Sequence, residues 1–192
     1  MKGAYNLELI LASASPRRKE LLGRLGVPFS VLVPDCDETL PDGIPAGEAA
    51  EFLAVRKAAA AAKLHPDAVV IGADTTVLLD DRILGKPHDR AECCEMLHLL
   101  SGRQHRVVTG VAVFWEGRSA SFSDETLVQF YPLTEAEINA YADSGEPYDK
   151  AGAYGIQGQG SLLVAGISGD YFNVVGLPVA RLYRQLRSFG LL

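Results

Sequence analysis

The chain changes its apolar period at Ser15-Pro16. Ahead of that dipeptide, Leu7–Ala12 reads as a strand; behind it, Leu21, Leu22 and Leu25 recur at helical spacing, so Pro16–Leu25 reads as a helix ended by Gly26. Ser15 suits the N-cap and Pro16 the first helical position. A strand that passes straight into a helix points to an α/β arrangement. Arg17, Arg18 and Lys19 crowd the positive end of that helix, where the dipole favours anions. A phosphate held by backbone N–H groups and guanidinium forks would account for them. One arginine in water and another paired with a carboxylate would also account for them, and the segment alone does not choose.

The alternation continues. Phe29–Val33 reads as a second strand closed by Pro34, and Ala46–Leu64 as an Ala-rich helix stopped by His65-Pro66. Ala68–Leu79 starts as a buried apolar strand, turns at Asp80-Asp81 and returns through Ile83-Leu84. Asp89 caps a helix through Leu100, with Gly102 beyond its end. Arg106–Trp115 and Ser119–Phe130 form an antiparallel pair around Glu116-Gly117. Thr134 and Glu137 make a capping box for Glu135–Ala142. Ala151–Asp170 reads as a glycine-rich stretch with two strands, and Pro178–Phe189 as a last helix with Val179, Leu182, Leu186 and Phe189 on one face. Parallel and antiparallel pairing together predict one α/β domain over residues 1–192, a mixed sheet flanked by helices.

At 192 residues the chain can bury roughly 70% of its unfolded surface. Hydrophobic residues at 48% exclude disorder, and a net charge of −6 argues against nucleic-acid or anionic-membrane binding while leaving room for a local basic pocket. Cys36, Cys93 and Cys94 lack C-x-x-C spacing, which fits free thiols in a reducing compartment. The four histidines have no metal-ligand spacing. No apolar run approaches the ~18 residues of a membrane helix, and Glu8 breaks the N-terminal apolar run, so no signal peptide is expected and the expected location is cytoplasmic.

Several residues carry chemistry. Asp74 follows an apolar strand, where α/β sheets present ligand-binding groups; it suits a general base, an Mg²⁺ ligand or a turn cap. Gly85-Lys86-Pro87 presents a lysine from a rigid loop, for a ligand or simply to solvent. Asp37-Glu38 lies in a polar loop, and paired acids there suit a divalent cation or plain solvation. Helical spacing by itself leaves Lys57 on the surface. Ser101-Gly102-Arg103-Gln104-His105 reads as a helix C-cap followed by a solvated arginine. In Glu146–Gly158, charges, aromatics and glycines alternate as in a loop that touches a flat ligand or in a structural glycine-rich hairpin; Gln157 has the donor and acceptor to read a base edge. The polar residues of Gly169–Pro178 read as partners for backbone groups.

In order along the chain stand S-x-S-P-R-R, G-A-D-T, G-K-P, S-G-R-x-H, D-K-A-G-A-Y-G-I-Q-G and N-V-V-G-L-P. This series, from Leu9 to the final helix, resembles the Maf family of nucleoside triphosphate pyrophosphatases. The resemblance implies an elongated mixed-sheet α/β fold like that of the inosine triphosphate pyrophosphatases, with a nucleotide cleft between two lobes. It implies hydrolysis of a nucleoside triphosphate to monophosphate and pyrophosphate with a divalent cation, Mg²⁺ or Mn²⁺. By motif position, Asp74 would be the proton acceptor, Ser13, Arg17 and Arg18 would bind phosphate, and Glu38, Lys57 and Lys86 would complete the catalytic set. Glu38 and Asp74 would hold the metal. Arg17, Thr75 and Gln157 match the positions that separate substrates, and here look like the dTTP/UTP branch rather than the 7-methyl-GTP branch. Thr76 departs from the usual valine. The family also implies a homodimer and has a link to septum formation, so a nucleotide-binding regulator of cell division with little turnover stays open beside the enzyme.

Overall fold

The computed structural model describes residues 8–192, so Leu7, the first residue of the expected opening strand, lies outside the described residues. Among the described residues, seven strands form one sheet: β1 (Leu9–Ala12), β2 (Ser30–Val31), β3 (Val69–Leu79), β4 (Arg82–Leu84), β5 (Gln104–Trp115), β6 (Arg118–Phe130) and β7 (Val164–Ser168). Six helices join them: α1 (Pro16–Gly23), α2 (Ala49–Leu64), α3 (Arg90–Leu100), α4 (Glu135–Asp143), α5 (Tyr171–Val175) and α6 (Val179–Ser188). The path β2-β1-β3-β5-β6-β7 is parallel as far as β3 and antiparallel beyond it, and β4 pairs antiparallel with β3. The expected mixed sheet is therefore present. None of the described helices is long and apolar enough to cross a membrane.

Side-chain alternation assigns the two faces. Ile10, Ala12, Val70 and Ala112 pack under Ala54, Ala58 and Ala61 of α2. Leu9, Leu11, Val69, Ile71, Val111 and Val113 face the other way, against Leu21 and Leu22 of α1 and Leu182 and Leu186 of α6. Phe189 completes that layer by stacking on Trp115 at 4.5 Å between ring centroids. At the far end of the sheet, Val77, Leu79 and Leu84 pack with Cys93 and Leu97 of α3 and Ile138 of α4. All three cysteines are free thiols.

Strand β3 has unequal neighbours. Along one edge it pairs with β5 from Val70 to Leu78. On its other edge β1 reaches only Val69–Gly72, and β4 begins only at Val77. Residues 73–76 thus have no strand partner on that edge. The chain leaves β1 through Ser13-Ala14-Ser15, and it leaves β4 through Gly85-Lys86, so both exits open onto the same notch.

Several boundaries differ from the sequence expectation. Helix α1 stops at Gly23 because Arg24, Leu25 and Gly26 donate to carbonyls three residues back and tighten the last turn. Strand β2 keeps two residues, because flanking Pro28 and Pro34 supply no ladder N–H. The glycine-rich stretch holds one strand rather than two; before β7 it winds through 3-10 turns at Ala151–Ala153 and Gly158–Leu163. Positive φ at Gly152, Ala153 and Gly158 forbids an extended strand there. Helix α5, capped by Asp170, is too short to announce itself by periodicity. The capping box on α4 and the Glu116-Gly117 turn form as expected.

Helix α2 lies almost on the sheet. A Cβ on Gly72 would sit 2.5 Å from Ala54 O and 2.8 Å from Ala58 N, and one on Gly110 would overlap the backbone of Glu51. Alanine at either position must lift the helix, at a cost of roughly 1–3 kcal/mol or more. Urea unfolding should show that loss for Gly110→Ala and Gly72→Ala, whereas Gly47→Ala, which meets nothing within 4 Å, should stay close to the parent.

Candidate active site

Asp74 stands in the notch on the α2 face of β3, two residues after Gly72 and paired in register with Gly110. Because both glycines let α2 rest on the strands, Lys57 reaches down from the helix. Its Nζ donates to Asp74 Oδ1 at 2.6 Å and lies 2.9 Å from Glu38 Oε2. The Lys57 and Asp74 side chains are only 14% and 15% exposed, while Glu38 is 58% exposed. Burial works against the Lys57 ammonium, but the Asp74 and Glu38 carboxylates outweigh it and hold its pKa above the ordinary lysine value. Lys57 is therefore a charged clamp on Asp74 that leaves Oδ2 without a protein partner among the described residues.

Arg18 occupies the opposite face. Nε donates to Gly176 O at 2.9 Å, Nη1 to Ser13 Oγ at 3.3 Å and Nη2 to Thr75 Oγ1 at 3.0 Å. All three acceptors are neutral. Burial pulls the guanidinium below its ordinary value, opposed by Asp74 across the notch, yet it remains a cation. Arg17 is different: Nη1 donates to Asp149 Oδ2 at 2.9 Å, and Asp149 also takes Lys150 Nζ at 2.6 Å. Of the two sequence alternatives for this helix start, Arg17 follows the carboxylate-paired one. Lys86 projects from the exposed loop after β4 and has no ion-pair partner among the described residues.

The third wall is the turn that carries Gln157. Glu146 organises it: its carboxylate accepts from Gln159 N at 2.9 Å, Gly160 N at 3.2 Å and Tyr141 Oη at 3.0 Å. Tyr141 Oη in turn accepts from Gly155 N at 3.1 Å. The Gln157 amide is half-buried and makes no hydrogen bond among the described residues, so its donor and acceptor both remain available. Ser13, Arg17, Arg18, Glu38, Lys57, Asp74, Thr75, Lys86 and Gln157, remote in sequence, all line one cavity of about 550 Å³.

Residues 8–189 match the family model described as Maf-like protein. The chain belongs to the Maf family. It is 50% identical over 184 residues to a dTTP/UTP pyrophosphatase of Bacillus anthracis, covering 96% of each chain. It is 52% identical over 183 residues to a dTTP/UTP pyrophosphatase of Symbiobacterium thermophilum, covering 95% of this chain and 94% of that one. Among solved structures, a HAM1 protein from Coxiella burnetii aligns over 95% of this chain and 99% of its own with a TM-score of 0.55. At 17% identity that likeness concerns the fold alone.

Within this Maf chain, the notch also fits a hard divalent cation. Lys57 takes one oxygen from each of Glu38 and Asp74 and leaves the second oxygen of each without a partner among the described residues. No group of three or more His, Cys, Asp or Glu side chains is gathered for a metal among the described residues. Two carboxylates completed by substrate phosphates match how Mg²⁺ is commonly held. Sequence reasoning left Asp149, Thr109 and Glu146 without a role. Asp149 and Glu146 lie inside the alternating loop that drew attention, but nothing in the spacing says which of its charges turn inward. The solvated arginine expected after Ser101 is present, since Arg103 is exposed and pairs with Asp80.

Behind the Gln157 turn, His105 is buried between Phe130 and Tyr154; its Nε2 pairs with Tyr154 Oη at 2.7 Å and its Nδ1 has no partner among the described residues. Burial pushes its pKa down to about 4. The folded protein therefore keeps His105 neutral, whereas the unfolded chain takes up a proton near pH 6.5. Stability from this group is full above pH 6.5 and drains as the pH falls toward 4, by about 2 kcal/mol between pH 6.5 and 5. Urea unfolding across that range should give a flatter stability profile for His105→Phe than for the parent by about that amount.

Proposed function

We propose that this chain is a single-domain nucleoside triphosphate pyrophosphatase acting on dTTP and UTP, releasing the monophosphate and pyrophosphate. The observation that carries this reading is the cavity itself: a carboxylate clamped by lysine on one face of β3, and an arginine with only neutral partners on the other. The two dTTP/UTP pyrophosphatases matched over nearly their full length support the substrate class.

The reaction breaks the bond between the α-phosphorus and the oxygen bridging to the β-phosphate, and forms one from water oxygen to that phosphorus. Asp74 accepts the water proton on its free Oδ2, with Lys57 holding Oδ1 so that the carboxylate cannot turn away. Arg18 and Lys86 neutralise the charge that gathers on the departing pyrophosphate. Glu38 and Asp74 are the residues that would hold Mg²⁺ or Mn²⁺, Asp74 through the Oδ2 lone pair that does not take the water proton; when bound, the ion would further neutralise the phosphate oxygens. Arg17 gives up little in turning from Asp149 to a phosphate, because an ion pair with side chains 28% and 59% exposed is worth about 0–1 kcal/mol. Gln157 reads the pyrimidine edge, and one such bond, lost with a wrong base, costs about 1–3 kcal/mol.

Pyrophosphate release should be measured over normal and modified nucleotides with Mg²⁺ and with Mn²⁺. Turnover is expected with dTTP and UTP and should vanish on chelation. Asp74→Asn keeps an acceptor for Lys57 and should lower kcat roughly 10²–10⁴-fold. Full activity in that variant would remove Asp74 as the base, and faster turnover of 7-methyl-GTP than of dTTP would overturn the substrate assignment.

A further inference from the structure

Arg18 is held from behind by a chain of hydrogen bonds whose direction the geometry determines. Thr109 Oγ1 lies 2.9 Å from Asn173 O, a carbonyl that can only accept, so the single hydroxyl proton of Thr109 goes there. Thr75 Oγ1, 2.9 Å from Thr109 Oγ1, must then be the donor of that pair. With its own proton committed, Thr75 is left to accept from Arg18 Nη2 at 3.0 Å. The direction runs one way: guanidinium to Thr75, Thr75 to Thr109, Thr109 to the backbone of Asn173.

The far end of the chain is rigid. Thr109 and Asn173 are completely buried. The Asn173 side chain accepts from Thr109 N at 3.1 Å and donates to Val107 O at 2.9 Å and Thr126 Oγ1 at 3.0 Å, which ties α5 to β5 and β6. Asn173 O also accepts from Gly176 N at 3.1 Å, and Gly176 O takes Arg18 Nε. Two routes thus lead from one buried asparagine to two nitrogens of one guanidinium. Each terminal nitrogen of Arg18 keeps one N–H without a protein acceptor among the described residues, and Arg18 lines the cavity.

We propose that Thr109, anchored by Asn173, is a positioning residue that orients Arg18 toward the polyphosphate of the substrate, with Thr75 as the link between them. The proposal rests on reading the cavity as a triphosphate site, and it deepens that reading. Thr75 then influences substrate choice as an acceptor for Arg18, because its hydroxyl has no proton left to donate to a nucleotide. Replacing Thr109 by valine keeps the shape but removes the acceptor for Thr75; the freed Thr75 hydroxyl can turn its proton toward Arg18, and the guanidinium loses its fixed direction.

The test is binding of inorganic tripolyphosphate by calorimetry, beside steady-state turnover of dTTP, for Thr109→Val, Thr109→Ser, Arg18→Ala and the double variant Arg18→Ala with Thr109→Val. Thr109→Val should weaken tripolyphosphate binding about tenfold and raise KM more than it lowers kcat, since a buried hydrogen bond to a charged group is lost. Thr109→Ser, which keeps the hydroxyl, should stay within about twofold of the parent. The double variant should bind no worse than Arg18→Ala alone, because the loss passes through Arg18. Losses that multiply in the double variant, or equal losses in the valine and serine variants, would overturn the proposal. Should Thr109→Val fold poorly, Thr75→Val against Thr75→Ser in the Arg18→Ala background poses the same question. Binding needs no turnover, so the expected pattern in a chain that hydrolyses no nucleotide would sink the proposed activity and leave the relay standing. Turnover without the pattern would do the reverse, and a parent chain that neither binds tripolyphosphate nor hydrolyses dTTP would end both.

Discussion

Strand β3 outruns its neighbours on one edge, and the rest of the site follows from that mismatch. β1 stops beside Gly72 and β4 starts beside Val77, so residues 73–76 keep an open edge within an otherwise continuous sheet. Because side chains alternate along a strand, this short gap points Asp74 to one face and Thr75 to the other. A ligand entering there touches both faces at once. That is why a lysine from α2 and an arginine from α1, separated by the thickness of the sheet, can line the same cavity.

The cations around the cavity are compensated unequally, and the inequality carries the chemistry. Lys57 sits between two carboxylates and acts locally as a clamp rather than as free positive charge. Arg17 has a half-exposed aspartate as partner, an interaction weak enough to exchange for another anion. Arg18 has only hydroxyls and a carbonyl, and Lys86 has no ion-pair partner among the described residues. A chain of net charge −6 can in this way offer a positive hollow to a polyphosphate while its remaining surface stays acidic.

Asp74 and Lys86 could be marked from local pattern, each beside a plain alternative, a turn cap or a solvated lysine; Lys86 stands in the loop after β4, whereas Asp74 lies within β3 and not past a strand's end. Lys57 could not. Helical spacing left it on the surface; only the family resemblance moved it inward, and the structural reason is the close approach of α2 over Gly72 and Gly110. Two glycines nearly forty residues apart in the sequence do not announce that they meet one helix. The second strand expected in Ala151–Asp170 failed for a related reason. Glycine content signals freedom, and here that freedom is used for left-handed turns wrapped around Glu146.

The amino-acid sequence alone determined the order of strands and helices as far as α4, the mixed sheet, the caps on α1, α3 and α4 and the family, because apolar periodicity, capping chemistry and ordered motifs are local or colinear with the chain. Only the tertiary structure decided which cation goes uncompensated, which hydroxyl donates and which accepts, and where the sheet edge opens. Those depend on strand register and on contacts between segments far apart in the chain, such as Arg18 and Gly176, 158 residues apart. A shift of one residue in register turns a side chain to the other face, and for strands far apart in the chain that choice is made only when the sheet assembles.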